Sequence, residues 1–259
     1  MSTLPRTQIL NSSTFKAPPL GDKSLCLPDF YDWQYRNSPS HPFFVYDDGP
    51  EKIRTITWAE AVRGIHRAAH LVASRVSPGD AAAALEGRPV VVASLAAAGT
   101  PCSSQCRVHP TLTFTIDTVT YVTTEVGILR AGFAVFPISP RNSPEAIAHL
   151  LKKTGASHLL VGGEPMLQKL AAASSELLRS DGHPQIPVSH MPHFEDLYPH
   201  DGSDNEFKHY PAVKFDLDAP SLILHSSGQC GVDLTCNYAM NQLWHKRLDG
   251  VPKACRVVP

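Results

Sequence analysis

The 259 residues carry 23 Lys and Arg against 24 Asp and Glu, a formal net charge of -1 at pH 7, and 42% of them are hydrophobic. That is the composition of a folded chain with a sizeable core, not of a disordered one. With no basic excess to neutralise a phosphate backbone, nucleic acid is not an expected partner. The longest apolar run, Pro89 to Ala98, falls well short of the ~20 residues of a membrane span. Met1 to Leu20 lacks the charged and apolar regions of a signal peptide. The expectation is a cytoplasmic protein with no membrane partner, its six cysteines (Cys26, Cys102, Cys106, Cys230, Cys236 and Cys255) present as thiols.

In chain order, residues 1–29 read as an extended lead-in broken by Pro5, Pro18, Pro19 and Pro28. Residues 43–57 read as a hairpin around Asp47-Asp48-Gly49. Thr57-Trp58-Ala59-Glu60 fits a capping box. The helix behind it places Trp58, Ala61, Val62, Ile65, Ala69, Val72 and Val76 on one face, with Pro78-Gly79 as its stop. Val90 to Leu95 is a short valine-rich run that suits a strand covered on both faces. Asp117 can cap a helix to about Arg130, followed by Gly132 and a second buried strand, Phe133 to Ile138. Ser143-Pro144-Glu145 opens the next helix, with a cap, a first-turn proline and an acid at the positive end of the dipole; Gly155 closes it. Ser157 to Val161 is a third strand, and Pro165 starts a helix to about Leu178. Residues 181–220, rich in His, Pro, Asp and Gly, read as a long surface connection. Ser221 to Leu224 is a further strand. Alternating strands and helices imply an α/β fold, a mostly parallel sheet covered by helices.

That last strand feeds into His225-Ser226-Ser227-Gly228. A strand followed by hydroxylated residues and glycines can cradle phosphate, because glycine lets backbone amides approach an anion and hydroxyls add donors. Neither a Walker A loop nor a GxGxxG fingerprint is present. Cys102 and Cys106 with His109 have only a generic metal-ligand spacing, and His190 and His193 read as solvated loop histidines, so no metal site is assigned.

The segment from Ile128-Leu129-Arg130-Ala131-Gly132-Phe133 through Pro137-Ile138-Ser139-Pro140, the helix from Asn142 to Leu151, and Ser221 to Gly228 together resemble adenylate-forming, or AMP-binding, enzymes over about residues 30–228. The wording is most similar to the adenylation domains of fungal carboxylate reductases of the nonribosomal-peptide-synthetase type. The resemblance implies an N-terminal part of the adenylate-forming fold. It also implies activation of a carboxylic acid with ATP and Mg2+ to an acyl-adenylate, and transfer to a carrier-protein or CoA thiol. Ser226, Ser227, Gly228 and Gly231 match the family's phosphate loop and are the residues expected to contact the nucleotide; no catalytic residue is assigned.

The sequence departs from the family at three places. Asp233 and Leu234 stand where the family has Pro-Lys. Residues 99–116 interrupt the passage from strand to helix, and residues 237–259 form a divergent tail. The family's adenine and ribose segments and its C-terminal catalytic lysine are not found. The expectation is therefore a truncated and catalytically incomplete adenylation domain over residues 30–236; the alternative is a non-catalytic nucleotide-binding, acyl-binding or interaction module. Ending the domain after a central strand would leave an open sheet edge. The foreign composition of 99–116 suggests translated intron. Sequencing the transcript is expected to show reads without those codons; their presence in most reads would refute this.

Overall fold

The computed structural model describes residues 12–19, 25–47, 53–99, 116–199, 208–214, 216, 218–225 and 235–239. Helix α1 spans Leu27–Asn37, the hairpin pairs β1 (Pro42–Asp47) with β2 (Ile53–Thr57), and α2 spans Trp58–Arg75. Next come α3 (Pro78–Leu85), β3 (Val91–Leu95), β4 (Ala98–Gly99), β5 (Ile116–Asp117), α4 (Thr118–Arg130) and β6 (Ala134–Ile138). They are followed by α5 (Pro144–Thr154), β7 (His158–Val161), α6 (Pro165–Ser180), β8 (Val188–His190), α7 (Phe194–Leu197), β9 (Pro220–His225) and β10 (Thr235–Ala239).

Six strands form the main sheet in the order β10-β9-β6-β3-β7-β8, parallel throughout except for β10 against β9. Alternation along the strands sends side chains to two cores. Val92, Val135 and Leu160 join Ala69, Val72, Ile128 and Phe133 on the α2–α4 face. Ala93, Phe136, Leu159 and Val161 join Ile147, Leu151 and Leu167 on the α5–α6 face. Both faces are thus covered, which is why the strands read as continuous apolar runs.

The expected caps are present. In α2, Thr57 Oγ1 accepts from the Glu60 N–H at 3.3 Å and Glu60 Oε2 accepts from the Thr57 N–H at 2.8 Å. Asp117 Oδ1 accepts from the Thr120 N–H at 2.8 Å at the start of α4. Ser143 Oγ accepts from the Ala146 N–H at 3.3 Å, and Gly155 closes α5 at φ 65°. Gly132 turns the chain from α4 into β6 at φ 87°, where any Cβ would also come within 2.8 Å of the Ala84 carbonyl oxygen.

Helices α1 and α3, absent from the sequence-based expectation, share one cause. Pro28 reads as a breaker and Pro78 as a stop, yet both sit in the first turn of a helix, where the missing N–H costs nothing. The lead-in expected over residues 1–29 therefore ends in the start of α1. Aromatic packing helps to hold α1: Trp58, at the head of α2, packs 5.6 Å from Phe30 and 5.7 Å from Tyr31, and 4.4 Å from Phe43 of β1.

The long surface connection expected over 181–220 is also corrected. It contributes β8 to the sheet and α7, and it buries Tyr198 and Tyr210. Nor is the edge at β9 open among the described residues, because β10 pairs along it, with Thr235 opposite His225 and Cys236 opposite Leu224. At the flanks of the interruption, Ala98 pairs with Ile116 and Gly99 with Asp117. The residues between those flanks, and those after 239, lie outside the described residues.

Helix α4 crosses α2 at a point where neither has bulk. A Cβ on Gly127 would overlap the Ala68 Cβ and lie 3.1 Å from the Ala69 backbone nitrogen. A buried polar group locks the same pair. His66 is fully buried; its Nδ1 accepts from the Tyr210 N–H at 2.9 Å and its Nε2 lies 3.0 Å from Asp32 Oδ1. Asp32 Oδ2 in turn lies 3.1 Å from Arg130 at the end of α4. Substituting Gly127→Val is expected to push α4 off α2 and lower stability by about 1–3 kcal/mol, the usual cost of overpacking. A urea midpoint unchanged from wild type would show that the interface can yield.

Candidate functional site

Strands β6 and β7 lie on opposite sides of β3, so the strand order reverses there. In open parallel sheets, the crevice outside the carboxyl ends at such a reversal is the usual ligand site. At that end the chain leaves β6 through Ser139–Asn142 and leaves β9 at His225. The two exits are fastened together. His225 Nε2 accepts from the Ser139 N–H at 3.3 Å and lies 3.4 Å from Asn142 Nδ2, while its ring stands edge-on to Phe136 at 6.0 Å. Accepting at Nε2 leaves the ring proton on Nδ1. A turn shapes the β6 exit, with the Asn142 N–H donating to the Ser139 carbonyl at 3.2 Å.

The expected nucleotide contacts Ser226, Ser227, Gly228 and Gly231 lie outside the described residues, as do Cys102, Cys106 and His109. Thr235 pairs with His225, so both ends of the stretch that holds the four expected contacts sit at the carboxyl end of the sheet. His190 and His193 are exposed, as read, but sit at defined places: His190 ends β8, and the His193 N–H donates to Asp196 Oδ2 at 2.8 Å at the start of α7. Among the described residues no group of three or more His, Cys, Asp or Glu side chains converges as a metal site. No helix among them is long and apolar enough to cross a membrane.

Two acids near this end of the sheet escaped the sequence reading. Glu125 of α4 packs toward Ser94 of β3. Burial pushes its carboxyl up to about 7, opposed by the Ser94 hydroxyl, and the same burial, with the Glu125 charge, raises the Tyr121 phenol. Glu164 caps no backbone N–H of α6 with its side chain, is 9% exposed, and neither carboxylate oxygen has a hydrogen-bond partner. Nothing in the sequence marks either residue: Glu125 sits in a helix whose polar positions are mostly threonine, and Glu164 precedes a proline in an ordinary helix-start pattern.

A doubly wound α/β layer whose last parallel strand runs into hydroxyl and glycine residues is the architecture of adenylate-forming enzymes, and comparison agrees. Residues 112–232 match the family described as AMP-binding enzyme. The chain is related to that family and corresponds to the N-terminal part of its curated relatives, which are fungal adenylate-forming reductases. It is 38% identical to the adenylate-forming reductase Nps10 of Heterobasidion annosum over 88% of this chain and 19% of that protein. It is 28% identical to Nps11 of Serpula lacrymans over 85% of this chain and 18% of that protein. The chain thus spans about a fifth of the length of these relatives. Among solved structures, the fold is similar to that of apo MbtA from Mycobacterium smegmatis, with a TM-score of 0.54 and 20% identity over 84% of this chain and 34% of that one.

Glu125 makes stability depend on pH. Its folded pKa lies above the ordinary 4.5, so the folded state holds a proton that the unfolded state releases first. Its contribution is full below pH 4.5 and is lost as pH rises through about 7. The loss is at most about 3 kcal/mol for a shift of this size. Glu125→Gln is expected to remove this slope and to be more stable than wild type at pH 8. Parallel pH–stability curves for the two proteins between pH 5 and 8 would exclude a buried, proton-holding Glu125.

Proposed function

We propose that this chain is the phosphate-loop half of an adenylation domain that activates a carboxylic acid with ATP. The observation that carries this reading is the β6–β9 exit. His225 is tied to Ser139, and the residues that follow it in sequence are the hydroxyls and glycines of the family's loop, within a segment that matches AMP-binding enzymes. In this reading Ser226, Ser227, Gly228 and Gly231 hold the β- and γ-phosphates, and Mg2+ supplies the positive charge that spreads the charge of the phosphates. The acid's carboxylate attacks the α-phosphate, pyrophosphate leaves, and a carrier-protein or CoA thiol displaces AMP. Residues 30–236 form the partial domain, with 99–116 inserted in it and 237–259 as a divergent tail.

One observation favours a second reading, a binding module without turnover. Asp233 and Leu234 replace the family's Pro-Lys, which sets a negative charge where phosphate should lie. Losing one charge-assisted contact costs about 1.5–3 kcal/mol, or roughly ten- to a hundredfold in affinity. The 259-residue chain by itself is expected to give background ATP–pyrophosphate exchange with any acid. Leu234→Lys is expected to tighten ATP binding by about ten- to a hundredfold, measured by titration calorimetry. Exchange above background by the wild-type chain would dispose of the second reading. ATP affinity indifferent to the lysine would remove the phosphate-loop assignment itself.

A further inference from the structure

Residues 208–214 form neither helix nor strand, and they are exposed except at Tyr210 and, in part, Val213. Histidines hold this segment on the body of the fold. His66 and His70 lie one turn apart on α2. His66 Nδ1 accepts from the Tyr210 N–H at 2.9 Å, and His70 Nε2 donates to the Lys208 carbonyl at 3.2 Å. The Tyr210 ring lies 5.0 Å from His70. The segment's own His209 stands edge-on to His66 at 4.8 Å and to Tyr35 of α1 at 5.9 Å. Further along, Val213 closes against Gly132, where a Cβ would meet its Cγ1 at 2.8 Å, and the chain goes on to β9.

The two hydrogen bonds respond to acid differently. His70 donates, and a protonated ring still donates. His66 accepts at Nδ1, which it can do only while that nitrogen is unprotonated. Its Nε2 holds the ring proton toward Asp32 Oδ1 at 3.0 Å. A charged His66 therefore turns an N–H toward the Tyr210 N–H, and a backbone N–H can only donate. One buried donor then loses its acceptor, which is the costly way to break a hydrogen bond. The charges around the ring come from three elements: Asp32 from α1, Arg130 from α4 and His209 from the segment itself. Asp32 is already shared with Arg130 at 3.1 Å. Burial holds the His66 ring below its ordinary 6.5, against the pull of the Asp32 hydrogen bond, and the Arg130 and His209 charges lower it further.

We propose that residues 208–214 are an acid-released clasp: protonation of His66 frees Tyr210 from α2 and loosens the segment that runs into β9. Because the released ring takes its proton more readily than the clasped one, the clasp is fully held above pH 6.5 and gives way as pH falls below it. Its open fraction grows by about tenfold for each pH unit in that range. The direction is opposite to that of Glu125, whose effect weakens the whole fold as pH rises, so global loosening cannot imitate it. The device is independent of ATP chemistry at the His225 exit.

Hydrogen–deuterium exchange on the full 259-residue chain, corrected for the intrinsic pH dependence of amide exchange, tests this directly. Protection of the Tyr210 amide is expected to fall by about tenfold between about pH 7.5 and 5.5, while the Val135 and Phe136 amides of β6 keep theirs. The His66 ring nitrogens, followed by 15N NMR, should titrate over the same range. His66→Asn supplies a neutral side-chain oxygen in place of Nδ1 and should make the Tyr210 protection independent of pH. His209→Gln leaves the acceptor in place and should keep the fall. Flat protection in the wild-type chain, a fall that persists in His66→Asn, or a fall that disappears in His209→Gln overturns the proposal. Should His66→Asn fail to fold, the wild-type exchange and the His66 nitrogen titration decide: a Tyr210 amide that opens without His66 taking up a proton overturns it equally.

Discussion

The structure depends on an acid that holds two buried bases. Asp32 reaches from α1 to His66 on α2 and to Arg130 at the end of α4. Burial pushes its carboxyl up, but the His66 hydrogen bond and the Arg130 charge outweigh that and hold it below the ordinary value. His66 is in turn kept neutral: burial lowers its pKa, and its Nδ1 must stay unprotonated to accept from Tyr210. Removing one member of such a set strands the others in the interior, which costs about 3–5 kcal/mol for a buried pair. The network fastens α1, α2, α4 and the 208–214 segment at one point.

From there the geometry runs downstream. Arg130 ends α4, Ala131 and Gly132 turn the chain, and β6 enters the sheet beside β3. The register of β6 fixes where Ser139 emerges, and Ser139 is the group that His225 grips. A helix-end ion pair on one face of the sheet thus sets the position of the loop exit at its carboxyl end. The β9–β10 pairing stiffens that exit from the other side.

The two acids fit this frame differently. Glu125 lies between α4 and the sheet, where desolvation works against its charge and ties stability to pH. Glu164 lies on the far side of β3 from the exit, and its two carboxylate oxygens are buried without a hydrogen-bond partner.

Much of this was legible from local pattern. The capping box at Thr57, the Ser143-Pro144 start, the Gly155 and Gly132 stops and the three buried strands are set by interactions within a few residues of each other, so the amino-acid order alone determined them. Pro28 and Pro78 were ambiguous because the same ring ends one helix and begins another; only the packing of Trp58 on Phe30 and of Ala84 in the core decides which. What the tertiary structure alone decided are the long-range choices: the strand order, the use of 181–220 as β8 and α7, the burial of His66, and the isolation of Glu164. Each depends on residues tens of positions apart meeting at a distance of a few ångströms, and no periodicity records such a meeting.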